Sequence, residues 1–74
     1  MSSFRKWMGT QVGRGDPVGD LAADIQSDET AVNIQNTKSA WLSHIQGRNA
    51  CTGAIEAMKD AWIEYRWYLD RGGR

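Results

Sequence analysis

The chain predicts an all-α fold: a compact bundle of four or five helices ending in one long helix. Three observations predict it. From Ala50 to Leu69 the apolar residues recur at i, i+3, i+4 and i+7, the period of a core-facing helix. Good helix-capping residues (Ser3, Asp16, Thr37 and Asn49) stand in front of each apolar segment. Strand-like alternation is confined to Val32 and Ile34, which is too little to make a sheet. Residues 1–74 read as one domain.

Ser3 caps a short first helix, which puts Phe4, Trp7 and Met8 on one face. It should end by Gly13, with Val12–Gly15 as a turn. Asp16-Pro17 opens the second helix. Asp caps it, and Pro at the first helical position gives up an amide that had no partner. Val18, Leu21, Ala22 and Ile25 form its apolar face. Asp20, Asp24 and Asp28 follow at spacings of four on the solvent side, as a solvated ridge or an acidic contact strip. Ser27–Asn36 reads as loop. Thr37 caps a third helix with Trp41, Leu42 and Ile45 facing inward. Gly47 ends it, and Arg48-Asn49 makes a tight corner.

The long helix of about twenty residues would span roughly 30 Å. Asn49 is its expected cap, and Gly72 and Gly73 lie just past its end, where a left-handed residue is usual. Cys51, Ala54, Ile55, Met58, Ala61, Trp62, Tyr65 and Leu69 fall on one stripe. Small residues (Ala54, Ala57, Ala61) admit a neighbouring backbone, and Met58, Trp62 and Tyr65 fill the space between helices. Ile63 and Trp67 break the pattern. They lie nearly opposite the stripe, among Lys59, Asp60, Asp70 and Arg71. Either another segment covers them or they form a partner surface, since Trp is enriched at interface anchors.

A chain of seventy-four residues has a small stability margin. One cysteine permits no internal disulfide and fits a reducing compartment, so the four tryptophans must supply much of the core. Nine basic and nine acidic residues cancel, which argues against a dominant electrostatic grip on nucleic acid. The charges are polarised nonetheless. Arg5, Lys6 and Arg14 make the start basic; Asp16, Asp20, Asp24, Asp28 and Glu29 make the next stretch acidic; Arg66, Arg71 and Arg74 close a basic tail. Such poles favour docking to a protein or to a second copy. No apolar run reaches membrane-span length and no signal-peptide core follows Arg5-Lys6, so a soluble, cytoplasmic protein is expected.

Catalytic candidates are few. His44 and Cys51 are the sole histidine and cysteine; Cys51 belongs to the core stripe, so no dyad is expected, and the pair falls short of a zinc set. No metal or other cofactor is expected. The glycines of Gly13–Gly19 lack phosphate-loop spacing, and Arg14-Gly15-Asp16 is read as a helix entry rather than as an integrin-binding tripeptide. The Gly47 corner loosely resembles a helix-turn-helix, with Arg48, Asn49 and Thr52 at the start of the second helix and Lys38 in reach of a phosphate.

Several blocks together carry a family resemblance: Ser3-Phe4 with Trp7; Asp16-Pro17-Val18-Gly19-Asp20-Leu21-Ala22 with Asp24-Ile25; Trp41-Leu42 with Ile45; Ala50-Cys51 with Ala54; and Ala61-Trp62 with Glu64-Tyr65. The chain resembles the YozE-type SAM-like (sterile alpha motif-like) family of small bacterial and phage-associated proteins over residues 3–65. The resemblance implies a SAM-like bundle of four or five helices with a long last helix. It implies little about activity, because SAM-like folds serve protein contact and, in some cases, nucleic acid. Ser27–Asn36 lacks the Phe-Pro expected after the second helix, and Arg66–Arg74 runs past the matching part.

The expectation is a non-enzymatic helical module that binds another protein, possible also as a homodimer, through Ile63, Trp67, Asp70 and Arg71. The alternative is a nucleic-acid-binding domain using Lys38, Arg48, Asn49 and Thr52.

Overall fold

A computed structural model describes residues 3–48 and 51–72. Among the described residues there are four α-helices, α1 (Ser3–Gly9), α2 (Pro17–Ser27), α3 (Lys38–Gly47) and α4 (Thr52–Asp70), and one 3-10 turn at Glu29–Ala31. The three shorter helices all pack on α4, which is unbroken along its length.

Local sequence chemistry sets most of the boundaries. Asp16 caps α2, its Oδ1 accepting from the Gly19 amide at 2.8 Å, with Pro17 at the first helical position. Thr37 caps α3, its hydroxyl accepting from the Ala40 amide at 3.1 Å. Gly72, with φ at 84°, takes the left-handed conformation just past α4 that glycine adopts without strain. Gly19 is needed for space: a Cβ there would come within 3.0 Å of the Arg14 backbone nitrogen.

Aromatic rings make up much of the core. Phe4 is fully buried and meets four others. Its ring stacks on Trp62 with centroids 4.2 Å apart and meets Trp41 edge-on at 5.1 Å. Met58, Trp62 and Tyr65 are buried, as are Val18, Leu21, Ala22 and Ile25 from α2 and Trp41 and Ile45 from α3; Leu42 is partly covered. Edge-to-face and offset contacts of this kind add to the area they bury.

Several expectations are corrected. α4 starts at Thr52 rather than Ala50, and its N-cap is Cys51, whose side chain makes no capping bond. Asn49 and Ala50 lie outside the described residues, as does Gly73. Cys51 is exposed, not part of the core stripe, because it precedes the first helical turn. Leu69 is also exposed; in the last turn α1 covers the opposite edge, where Tyr68 lies 6.3 Å from Trp7. The amide of Phe4, at the start of α1, is satisfied from 32 residues away, by Asn36 Oδ1 at 2.9 Å.

Asp28 does not continue the exposed ridge of Asp20 and Asp24. α2 ends one residue earlier, and Asp28 turns inward as the cap of the 3-10 turn. Its carboxylate accepts from the Thr30 hydroxyl at 2.6 Å and the Thr30 amide at 2.9 Å. It also lies 2.8 Å from His44 Nε2 and 3.3 Å from Arg48 Nη1. Residues 27–36 are therefore not all loop: the turn buries Ala31, and Ile34 packs against the core.

Candidate functional site

The outer face of α4 is where the chain departs most from a surface with nothing to bind. Ile63 is 48% exposed and Trp67 57% exposed, one helical turn apart. Asp70 and Arg71, predicted with them, are exposed on the same helix end. Trp67 stands as a ridge between two grooves. One, of about 360 Å³, is walled by Pro17, Val18, Ile63 and Trp67, with Arg14, Asp16, Asp60 and Glu64 supplying charge. The other, of about 510 Å³, is walled by Trp7, Trp67 and Tyr68, with Gln11, Glu64, Arg71 and Gly72. Asp70 lines neither.

The groove walls are held by Arg14. Its guanidinium donates to both Glu64 oxygens, at 2.7 and 3.0 Å, and to Asp16 Oδ2 at 2.8 and 3.0 Å. Glu64 first and Asp16 second stabilise the Arg14 charge, raising its pKa. The Asp16 carboxyl is lowered in turn, chiefly by the Gly19 amide and then by Arg14. This forked pairing ties the α1–α2 turn to α4 and fixes where Pro17 and Val18 sit relative to Trp67. Exposed pairs of this kind add little stability, so their main effect is positional. Sequence reasoning identified Ile63, Trp67 and Arg71 but missed Arg14, Glu64, Trp7 and Tyr68 as walls. The only local signal was Arg14 two residues before a capping Asp.

Lys38 and Arg48 of the nucleic-acid alternative do not converge. Lys38 opens α3 and Arg48 follows its other end, about 15 Å away along the helix. Arg48 is turned toward Asp28 and Thr30. Thr52 is exposed at the start of α4, and Asn49 lies outside the described residues.

A third cavity, of about 500 Å³, includes Leu21, Ile25, Asp28, His44, Arg48 and Cys51. His44 is engaged by Asp28, whose carboxyl is held at about 2 by the Thr30 hydroxyl first and His44 second. Among the described residues, no group of three His, Cys, Asp or Glu side chains is arranged to hold a metal ion, and no helix is long and apolar enough to cross a membrane.

Three short helices packed on one long C-terminal helix, with a 3-10 turn against α2, define a small all-helical domain of SAM-like architecture. The family model described as YozE SAM-like fold matches residues 3–67, and the chain belongs to that family. The match extends past Tyr65 to include Arg66 and Trp67, so the ridge of the candidate site lies inside the family region, and residues 68–74 run beyond its C-terminal end. Comparison with curated proteins and with solved structures gave no match.

Proposed function

We propose that this protein is a small non-enzymatic interaction module that binds another protein through the outer face of α4, in an adaptor or regulatory role in a bacterium or phage. The observation that carries the reading is Trp67, a large aromatic left more than half exposed between two grooves. Keeping so much apolar surface in water has a cost, and a buried partner contact recovers it. The Arg14 fork supports the reading, because it holds one groove open on a fixed scaffold rather than on a free loop. A cytoplasmic location fits the single unpaired cysteine.

Nucleic-acid binding through Lys38, Arg48, Asn49 and Thr52 is the weaker reading, since Arg48 is already paired with an acid.

Trp67→Ala is the test. The side chain is more than half exposed and lies outside the buried core cluster, so the melting temperature should move by no more than a few degrees. Retention of host proteins by the immobilised chain should fall sharply, as it does when a central aromatic anchor is truncated. Indistinguishable retention by the wild type and the variant would remove the α4 face as the binding surface.

A further inference from the structure

Resting on the reading of the α4 face as a protein-binding surface, the two grooves specify what kind of segment they take. We propose that they hold a proline-rich segment in the extended polyproline II conformation, draped across Trp67, with a lysine or arginine of that segment set against Asp60.

The other ways of recognising a segment fit this face poorly. Adding a strand needs an open sheet edge, and no strand exists among the described residues. Docking a helix needs a continuous apolar stripe. The outer face of α4 offers only Ile63 and Trp67, interrupted by Lys59, Asp60, Arg66 and Asp70. A second copy fits no better. In an antiparallel two-fold pairing of α4 each edge of the exposed face meets its own copy, Lys59, Arg66 and Asp70 on one side and Asp60 and Arg71 on the other, so no basic edge meets an acidic one.

What the face does offer is aromatic-walled slots side by side. Trp7, Trp67 and Tyr68 wall one, and Trp67 with Pro17 and Ile63 walls the next. A polyproline II helix makes no internal hydrogen bonds and is stiff before it binds, so little entropy is lost when its rings enter such slots. Successive slots on either side of a tryptophan ridge suit the regular projection of its side chains.

The charge gives the segment a direction. Around the Ile63 groove stand three carboxylates, Asp16, Asp60 and Glu64, against one cation, Arg14. Arg14 is taken up by Asp16 and Glu64, and no ion pair to Asp60 occurs among the described residues. Asp60 is therefore the acid available to an incoming base, at the Ile63 end. Arg71, at the other end, disfavours one there.

The experiment is a titration, followed by NMR of the labelled protein, with three synthetic peptides of equal length. One is proline-rich with a flanking arginine; in the second each proline is alanine; in the third the arginine is glutamate. The first should bind, moving the Trp67 indole signal, and each of the others should bind roughly tenfold more weakly or worse. Trp67→Ala should abolish the response, and Asp60→Lys should reverse the preference between the first and third peptides; melting curves establish that both variants fold. Equal binding of the proline and alanine peptides, or no binding of either, overturns the proposal. A sedimentation mass that rises with concentration and is lost in Trp67→Ala assigns the face to a second copy and also overturns it. If no peptide binds but only the wild type retains host proteins, the parent reading survives without this one. If the wild type and Trp67→Ala retain the same proteins, both fall.

Discussion

Trp62→Ala should cost roughly 3–5 kcal/mol, a large share of what holds a domain of this size together. The ring is 7% exposed, stacks on Phe4 at 4.2 Å and meets Tyr65 edge-on at 5.2 Å. Removing it opens a cavity where α1 docks on α4, and Phe4 loses the partner that lies flat against it. On this scale the melting temperature should fall by about 12 °C or more. Trp62→Phe should cost much less. It keeps a ring on Phe4 and removes an indole N–H that has no acceptor among the described residues. Equal losses from the two substitutions would mean that the aromatic stack is not what anchors α1.

The second large effect belongs to Asp28 and depends on pH. Its carboxyl titrates at about 2 in the folded chain, against 3.8 ordinarily, because the Thr30 hydroxyl, then His44, the Thr30 amide and Arg48 favour its charged form. A folded value below the unfolded one means the carboxylate stabilises the fold above about pH 4, and that contribution is lost as pH falls toward 2. Asp28→Asn should therefore lower stability by on the order of 1–2 kcal/mol at neutral pH. The gap from wild type should close on acidification between pH 4 and 2. Denaturant titrations of both proteins across that range check it. A gap that stayed constant with pH would assign the loss to packing rather than to the charge.

Asp28 also marks how far local sequence chemistry reaches. The caps at Asp16 and Thr37 and the buried face Val18–Leu21–Ala22–Ile25 were legible because each depends on residues within a few positions. Asp28 was not. Its spacing continues the ridge of Asp20 and Asp24, and only the end of α2 at Ser27 together with the arrival of α3 turns it inward. The bond from the Phe4 amide to Asn36 and the fork from Arg14 to Glu64 span 32 and 50 residues and leave no local trace. Cys51 failed for a simpler reason: a helical stripe holds only inside the helix, and Cys51 precedes it.

At the candidate site the same division holds. Ile63 and Trp67 were legible as lying opposite Met58, Trp62 and Tyr65 on one continuous helix, but whether another segment covers them was not, and the structure leaves both exposed. The grooves beside them were not legible, since their far walls come from Trp7, Pro17 and Val18, whose positions depend on how α1 and the start of α2 dock.

Everything functional depends on α4 having one side in the core and the other open to a visitor. Attenuation of the four tryptophan indole signals by a soluble paramagnetic agent reads this directly. Trp67 should lose intensity strongly while Trp41 and Trp62 stay protected. A protected Trp67, or a Trp62 attenuated alongside it, would contradict the assignment of the two sides.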